Sequence, residues 1–305
     1  MTHFLQSAAW QTFQEALGRT AATDSGDGWF YRAYQERGAG NTRLYAPYGP
    51  DFTSVAAFDE AVTSLKAHAT GATFLRIEPT TGITADDLRQ RGFTPVSYQQ
   101  LNPARTQVID LSPSADEILA QMSQNSRNLT RNYTNKGLSM HVTTAPGDVT
   151  ILTQLLAGVA QRNHITPHSD AYFKQQAETL FPTGAAKLFY AQYEGKPIAA
   201  ALVYDSDTTR YYAHAAADDA YRKLSAGTAL VGHMILDAKA QGLAHFDLYG
   251  IAPDNAPRHP WTGFTKFKQS FGGQPVDYLG AWDLPLKPLP YYAYRAYQTI
   301  RRILR

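Results

Sequence analysis

Residues 186–215 read AKLFYAQYEGKPIAAALVYDSDTTRYYAHA, and this stretch decides the fold class because three apolar runs alternate with two short turns. The first turn, at residues 194–196, has a glycine between charged residues, and the second, at 205–207, has two aspartates. Both are typical of tight connections between antiparallel strands. The pattern therefore predicts a three-stranded meander with strands over Ala186–Tyr193, Pro197–Asp205 and Thr209–Ala215.

Helical and strand patterns alternate on both sides of this meander. A helix is predicted over Ser225–Gly242 and a strand over His245–Leu248, while helices over Thr150–Arg162 and Asp170–Leu180 precede the meander. Because strands and helices alternate rather than segregate, the sequence predicts a mixed α/β (α+β) fold.

The first third of the chain shows the same coarse order of helices and strands. Helical patterns occur at Ala9–Leu17 and Asp51–Ala69, with strand patterns between and after them. At about 150 residues per domain, 305 residues favour two domains, and the repeated order suggests that they share a fold. Near the C-terminus a strand is predicted at Val276–Ala281 and a last helix at Leu289–Leu304.

Composition excludes several classes of protein. Lys and Arg number 28 and Asp and Glu number 26, so the net charge of +2 leaves any contact with nucleic acid or membrane to a local patch. The chain has no cysteine, which excludes a disulfide scaffold, a thiolate nucleophile and cysteine-bound zinc. No apolar run approaches the ~20 residues of a membrane-spanning helix, and the N-terminus lacks the pattern of a secretory signal. We therefore expect a cytoplasmic protein.

An aromatic segment with two lysines, WTGFTKFKQSFGG at residues 261–273, follows the predicted strand His245–Leu248. Lys266 and Lys268 flank Phe267 within it. A lysine held among apolar rings can strongly stabilise developing negative charge, so Lys268 is a candidate for stabilising an oxyanion. The alternative is that both lysines are ordinary surface charges on a short helix.

A second segment, YRKLSAGTAL at residues 221–230, begins the helix predicted after the meander. Its small residues would let a phosphate approach the N–H groups of a helix N-terminus, and Arg222 and Lys223 add positive charge. The segment resembles the pyrophosphate loop of acetyl-CoA-dependent GNAT acetyltransferases, with Ser225 where glycine is usual. An ordinary helix start with small residues for packing fits the same pattern.

A third segment carries uncompensated positive charge. Arg127, Arg131 and Lys136 occur in a stretch that has no acidic residue between Glu117 and Asp148. On a helix, the two arginines share a face. Such a face suits phosphate or an RNA backbone, and it also fits a simple solvated helix face.

The predicted C-terminal helix is basic and rich in tyrosine. From Leu284 onward the chain has five basic residues and no acidic one. We expect one face with Tyr294, Tyr297, Ile300 and Leu304, and an opposite face with Arg295, Arg302 and Arg305. Such a helix can rest peripherally on the anionic inner face of a plasma membrane, or it can pack its aromatic face on its own domain.

No metal site is expected. His164 and His168 are four residues apart, but Pro167 lies between them and prevents a regular helix. A carboxylate cluster that would complete a site is not evident nearby.

Several segments, taken in their order and spacing, resemble the FemABX family of peptidoglycan bridge-forming aminoacyltransferases. The most specific are FDLYGI at residues 246–251 and GFTKFKQSFG at residues 263–272. The N-terminal FLQSAAWQTFQEALG at residues 4–18 and LYAPYGP at residues 44–50 also match the family's pattern. The likeness covers nearly the whole chain.

This resemblance implies two GNAT-like (acyl-CoA N-acyltransferase-like) domains, each a mixed central sheet flanked by helices. Domain 1 would span residues 1–104 and receive the returning C-terminal helix at 282–305, and domain 2 would span residues 105–281. The long helical-hairpin insertion that some family members carry in the second domain is absent from this sequence.

The resemblance also implies an activity. The family transfers an amino acid, here of the Gly, Ala or Ser class, from aminoacyl-tRNA to the peptide-stem amine of lipid II or UDP-MurNAc-pentapeptide. It implies no cofactor beyond aminoacyl-tRNA as co-substrate. Phe267 and Lys268 match the family's Phe-Lys pair, whose lysine is held to be important for transfer. The implied substrate-binding positions are His168, Tyr172, Tyr211, His214, Tyr249 and Lys266, and the implied tRNA- or phosphate-binding positions are Arg127, Arg131, Lys136, Arg222 and Lys223.

The sequence departs from a characterised branch of the family at positions expected to contact the acceptor. His168 replaces an arginine and His214 replaces a tyrosine. Either histidine could contact phosphate, so the form of the acceptor stays open. Two other functions also stay open: a CoA-dependent N-acyltransferase, and a non-catalytic binding module that keeps a GNAT-like shell.

Overall fold

Two mixed sheets, each seven-stranded, form the framework of the chain. The computed structural model describes residues 2–38, 40–99, 101–163, 166–254, 256, 259 and 261–303. The chain divides into a first unit of Met1–Ala104 with Asp277–Arg305 and a second unit of Arg105–Val276. Helices flank both sheets, which confirms the predicted mixed fold class.

The N-terminal part of the first unit alternates helices and strands. Its elements are α1 (Ala8–Ala16), β1 (Ala21–Gly26), β2 (Trp29–Gly38), β3 (Asn41–Ala46), β4 (Asp51–Phe52), α2 (Val55–His68), β5 (Phe74–Ile77), α3 (Ala85–Gln90) and β6 (Thr94–Pro95).

The second unit contains the predicted meander. Its elements are β7 (Arg105–Asp110), α4 (Ala115–Gln121), α5 (Gln124–Asn132), β8 (Leu138–Thr143), α6 (Val149–Asn163), α7 (Asp170–Leu180), β9 (Ala186–Tyr193), β10 (Lys196–Asp205), β11 (Thr209–Ala217), α8 (Ala226–Ala240), β12 (His245–Gly250), α9 (Thr262–Gln269) and β13 (Gln274–Asp277). The chain then adds β14 (Trp282–Pro285) and α10 (Pro288–Ile303) to the first unit.

The first sheet has the strand order β1-β2-β3-β5-β14-β6, and β4 pairs with β2. Only β3 and β5 pair in parallel among its described pairs. Helix α2 packs Phe58, Val62 and Leu65 into the core beside Leu75 of β5. These apolar residues recur at helical spacing, and their burial explains why the helix lies against the sheet.

The second sheet has the strand order β13-β7-β12-β11-β10-β9-β8. Alternate residues of β10, Ala199, Ala201 and Val203, pack into one core with α8. The alternate residues on β10, Ala200, Leu202 and Tyr204, therefore project from the other face of the sheet, where α6 and α7 lie. This second face carries most of the candidate site.

Two predicted elements begin or end elsewhere than expected. The helix predicted from Asp51 begins at Val55, because Asp51–Phe52 pairs with β2 and the Ser54 hydroxyl caps the helix by accepting from the N–H of Ala57. The strand predicted at Val276–Ala281 lies instead at Gln274–Asp277: the chain leaves the sheet after Asp277 and turns at Gly280, whose φ is +70°, before β14 begins.

Five strands were not predicted from the sequence: β1, β4, β6, β8 and β14. Strands β4 and β6 have two residues each, and β1 is mostly polar, so their period-2 apolar signal is weak. Strand β8 does show this signal, with Leu138, Met140 and Val142 at alternate positions, and it was overlooked. In the described part of the chain, no helix is both long and apolar enough to cross a membrane.

Candidate functional site

Lys268 lies on α9, near the end of β12. Its side chain is partly buried, and its Nζ atom donates a hydrogen bond to the carbonyl oxygen of Gly250 at 2.7 Å. Desolvation lowers the pKa of Lys268 to about 8, and the negative charge of Asp247 opposes this shift. An ammonium group with a depressed pKa in a sheltered site can both stabilise an oxyanion and exchange a proton near neutral pH.

Asp247 is the acidic partner of this lysine, and the sequence pattern did not single it out. Its side chain is buried on β12, and one carboxylate oxygen accepts a hydrogen bond from the backbone N–H of Tyr249 at 2.6 Å. Burial raises the pKa of Asp247 to about 7, while the bond from Tyr249 and the charge of Lys268 lower it. The only available signal was a single charged residue within the apolar run FDLYGI.

A bulge in β12 shapes the backbone between these two groups. Asp247 pairs with Val108 of β7, but Gly250 pairs with Thr106, so three steps on β12 match two on β7. Tyr249 lies in the extra segment with a φ of +64°, in the left-handed region. Bulges re-aim side chains and end regular pairing. Here the bulge places the carbonyl of Gly250 within reach of Lys268.

The parallel strands β11 and β12 separate beside the lysine. Within the described chain they pair only at Thr209–Tyr211 with His245–Asp247, although β11 continues to Ala217 and β12 to Gly250. Where neighbouring strands part, the facing backbone N–H and C=O groups can bind an extended ligand. Gly250, whose carbonyl accepts from Lys268, lies in the part of β12 that does not pair with β11 among the described residues.

Aromatic side chains from β10, β11 and α7 gather on the second face of this sheet. The hydroxyl of Tyr204 lies 3.2 Å from Nε2 of His214 and accepts a hydrogen bond from the Gln176 amide at 2.7 Å. His168 stacks on Tyr172 at a centroid distance of 4.0 Å, and the His168 and His214 rings are 5.9 Å apart. Sequence reasoning missed Tyr204 and Gln176, because only the folded structure places them near these histidines.

Tyr211 joins this group to the bulge of β12. Its ring meets the ring of Tyr249 edge-on, with centroids 6.3 Å apart. Five of the six positions implied to bind substrate are thus gathered along one face of the second unit, namely His168, Tyr172, Tyr211, His214 and Tyr249. A surface rich in aromatic rings suits peptide, sugar or nucleobase groups.

His214 is an uncharged member of this cluster, and the expectation that it contacts a phosphate stays a prediction. Desolvation, with a smaller contribution from His168, lowers the pKa of His214 to about 3, so the imidazole is neutral at physiological pH. Its Nε2 is also engaged with the hydroxyl of Tyr204. His214 therefore acts as a neutral hydrogen-bonding group within the aromatic cluster.

Lys266 and Phe267 lie apart from this group. The side chain of Lys266 is exposed on α9, about 200° around the helix from Lys268 at 100° per residue. Phe267 packs against the hydrophobic core and meets the ring of Phe271 edge-on at 5.3 Å. Phe267 thus anchors the helix that carries the lysine, whereas Lys266 faces solvent.

The remaining basic residues share no hydrogen bond or ion pair with Lys268 among the described residues. Lys136 donates to the carbonyl of Lys223 at 3.2 Å, which brings the end of the α5 segment to the turn before α8. Arg222 lies 3.8 Å from Asp219 in an exposed pair. Arg127 reaches the carbonyl of Ala120 at 3.5 Å.

The expectation of an uncompensated cationic face needs correction at Arg131. Its guanidinium bonds the carboxylate of Asp116, on α4, at 2.8 Å. Sequence spacing did not show this neutralisation, because Asp116 precedes the stretch without acids.

At the start of α8, Ser225 has a φ of +55° and its side chain makes no capping hydrogen bond to the helix. His164 lies outside the described residues.

Comparison with known proteins supports this description of the fold. Residues 120–260 match a family described as an acetyltransferase (GNAT) domain. A crystal structure of FemX is similar over 96% of this chain and 94% of that chain, with a TM-score of 0.83 and 15% sequence identity. No curated protein sequence matches the chain.

Two further solved structures are also similar. The C-terminal domain of a putative lysylphosphatidylglycerol synthetase from Agrobacterium fabrum matches over 96% of this chain and 92% of that chain, with a TM-score of 0.65 and 11% identity. L-PGS from Bacillus licheniformis matches over 96% and 93%, with a TM-score of 0.62 and 14% identity. At these identities the likeness establishes the fold, so the resemblance to FemABX proteins and their GNAT-like domains is confirmed at that level.

Proposed function

We propose that this chain is an acyltransferase that moves an aminoacyl group from aminoacyl-tRNA to a primary amine of a peptidoglycan precursor. The observation that carries the proposal is the position of Lys268, held by the carbonyl of Gly250 where β11 and β12 separate. The similarity to FemX supports the same class of reaction.

The proposed reaction is aminolysis of an ester. The acceptor amine attacks the ester carbonyl carbon, the C–N bond forms, and negative charge develops on the carbonyl oxygen. Lys268 donates a hydrogen bond to that oxygen. The C–O bond to the ribose then breaks, and the ribose oxygen leaves with a proton that originates from the amine.

The electrostatics of the site fit this step. With a pKa of about 8, Lys268 is mainly protonated at neutral pH and can meet the oxyanion as an ammonium. Asp247 favours this charged form from a buried position. A donor aimed at an oxyanion typically contributes about 3–4 kcal/mol to the transition state. An ester is already activated, so positioning can supply much of the remaining acceleration.

The acceptor is proposed to bind along the aromatic face that runs from Tyr172 to Tyr249. Because His214 is neutral, the recognition there rests on ring contacts and hydrogen bonds rather than on ion pairs. This favours the peptide stem or the sugar of lipid II or UDP-MurNAc-pentapeptide over a phosphate at this position. The donor tRNA is proposed to use the basic group of Arg127, Lys136, Arg222 and Lys223.

The test uses purified protein, glycyl-, alanyl- and seryl-tRNA with labelled amino acids, and lipid II or UDP-MurNAc-pentapeptide as acceptor. We expect label to move onto one acceptor and the Lys268→Ala variant to lose roughly 100- to 1000-fold in rate. Lys266→Ala is the matched control, since Lys266 is exposed on the same helix, and should retain the rate. Absence of transfer from every charged tRNA would contradict the proposal.

A CoA-dependent N-acyltransferase is the second candidate, favoured by the family match over residues 120–260. The N-terminus of α8 lacks a side-chain cap, and its N–H groups lie next to Arg222 and Lys223 as a pyrophosphate would require. Calorimetry with acetyl-CoA and with aminoacyl-tRNA distinguishes the two candidates. Tight binding of acetyl-CoA together with indifference to charged tRNA would favour the second.

A further inference from the structure

Helix α10 exposes an apolar surface that the fold does not use. Among the described residues, eight large hydrophobic side chains are exposed, and four of them lie on this helix: Leu289 (87%), Tyr292 (54%), Tyr297 (52%) and Ile300 (58%). They recur at helical spacing and form one outward stripe, which we call the outer stripe of α10.

The opposite side of α10 fixes the helix to its unit. Tyr291 is buried and meets the ring of Phe74 edge-on at 5.3 Å, and Tyr294 stacks on Phe74 at 5.6 Å. The expected single aromatic face therefore divides in two, because Tyr294 packs inward while Tyr297 and Ile300 point outward. Leu304 and Arg305 lie outside the described residues, and the side chain of Arg302 is not described.

Positive charge borders the outer stripe on both sides. At about 100° per residue, Arg295 and Arg301 lie about 120° to either side of Leu289. No acidic residue follows Asp283 in the sequence, and Asp283 itself is buried against Arg76. The outer stripe therefore lies between two positively charged residues, as in helices that lie in a bilayer interface.

A basic cavity adjoins the inner edge of the same helix. Tyr294 and Gln298 line a cavity of about 750 Å³ together with Arg19, Arg37 and Arg43. Its one acidic lining residue among those described is Glu36, which bonds Arg19 at 3.0 Å and Arg43 at 2.6 Å. Three guanidinium groups against one carboxylate leave the cavity positive, so an anionic partner is favoured here too.

We propose that α10 docks this protein onto an anionic lipid bilayer. The outer stripe enters the boundary between headgroups and acyl chains, with the tyrosine hydroxyls at headgroup level. Arg295 and Arg301 bind lipid phosphates at the two borders of the stripe. The contact is peripheral, and it does not depend on the acyl-transfer proposal.

Two other partners fit these observations less well. An RNA would satisfy the arginines but would leave Leu289 and Ile300 exposed or unmatched against phosphate. A second copy of the chain, packed through the same stripe about a twofold axis, would bring the arginines of one helix toward those of the other without any acid on α10 to offset them. A bilayer with anionic headgroups satisfies both the apolar stripe and its charged borders.

Vesicle flotation tests the proposal with the full chain. The probes are vesicles of phosphatidylcholine alone and of phosphatidylcholine mixed with phosphatidylglycerol. We expect binding to the mixed vesicles, weakened by salt, and little binding to phosphatidylcholine. The Leu289→Ser/Ile300→Ser variant should weaken binding at least about tenfold, because two apolar anchors are lost. Arg295→Gln/Arg301→Gln should weaken it by a similar factor.

Matched controls lie elsewhere on the surface. Val142→Ser removes an equally exposed apolar residue of β8, and Lys174→Gln removes an exposed charge of α7; neither should alter vesicle binding. Unchanged circular dichroism of each variant verifies folding. The proposal is overturned if the wild-type chain fails to float with anionic vesicles, or if Leu289→Ser/Ile300→Ser leaves binding intact. It is also overturned if that variant instead dissolves a dimer that light scattering detects without lipid.

Discussion

Lys268 and Asp247 depart from their ordinary pKa values in opposite directions, and each partly offsets the shift of the other. Burial lowers the pKa of the lysine to about 8 and raises that of the aspartate to about 7. Both groups therefore titrate within one pH interval. One of the three ammonium N–H groups of Lys268 is used by Gly250, the one hydrogen-bond acceptor of its Nζ atom among the described residues.

The first prediction concerns the reactivity of Lys268 as an amine. Since its pKa is about 8, a larger fraction is neutral at pH 8 than for a lysine with an ordinary pKa near 10.4. Competitive acetylation followed by mass spectrometry measures the rate of Lys268 modification as a function of pH. The midpoint of that pH dependence should lie near 8. Partial burial slows the absolute rate, so the midpoint is the quantity to compare. A titration midpoint above pH 10 would contradict the environment described here.

The second prediction separates the role of Asp247 from that of Lys268. Its carboxylate favours the ammonium form, so Asp247→Asn should lower the pKa of Lys268 further. If transfer needs the ammonium, the rate of the wild-type enzyme declines as pH rises through about 8, and in the variant this decline moves to lower pH. The measurement is the pH–rate profile of both proteins. An unchanged alkaline limb would show that Asp247 does not act through the lysine.

The third prediction isolates backbone strain at Tyr249. An L-residue in the left-handed region costs about 1–2 kcal/mol, and glycine avoids this cost. Tyr249→Ala and Tyr249→Gly both remove the ring contact with Tyr211, but only the glycine variant relieves the strain. Urea unfolding should therefore find Tyr249→Gly more stable than Tyr249→Ala by about 1 kcal/mol. Equal stabilities would mean that residue 249 is not held in this conformation.

The fourth prediction ranks the basic residues in tRNA binding. Arg222→Gln/Lys223→Gln should weaken binding and make it less sensitive to salt, because each lost phosphate contact removes counterion release. Arg131→Gln should have a smaller effect, since its guanidinium already bonds Asp116. Filter binding over a range of salt concentrations measures both quantities, with Lys174→Gln as the control. An effect of Arg131→Gln larger than that of the double variant would reverse this assignment.

Much of the fold could be predicted because its signals are local. The helix at Asp170–Leu180 and the strand at Ala186–Tyr193 have the predicted bounds, since apolar spacing and turn residues specify them without distant partners. Strand β14 was missed because its partners are remote: Asp283 bonds Arg76, which is 207 residues away. No local pattern in the sequence around Trp282–Pro285 predicts that this strand pairs with β5.

The candidate site also contains some residues that the sequence could identify and others that it could not. Lys268 could be identified from its aromatic neighbours and from the family resemblance, both of which are visible in the sequence. Asp247 could not, because its raised pKa follows from burial in the folded sheet, and residue 249, which takes the left-handed conformation in the bulge, is neither glycine nor asparagine. Tyr204 and Gln176 join the histidines only through the sheet and α7.

The last prediction concerns the buried ion pair of Arg76 and Asp283. Both side chains are fully buried, and the carboxylate accepts two hydrogen bonds from the guanidinium, at 2.7 and 2.9 Å, and a third from the hydroxyl of Tyr98 at 2.8 Å. Asp283→Asn keeps the shape but leaves a buried cation without its counter-charge. We expect a loss of about 3–5 kcal/mol in the free energy of unfolding.

Two further variants show whether charge is the cause of that loss. Asp86→Asn removes the exposed partner of Arg89, and it should cost less than about 1 kcal/mol. Arg76→Met/Asp283→Leu removes both buried charges and should be more stable than Asp283→Asn, since no uncompensated charge remains. Urea unfolding of all three variants measures these differences. If the double variant is the least stable, then packing and hydrogen bonding to Tyr98, rather than the buried charge, determine the stability of this part of the sheet.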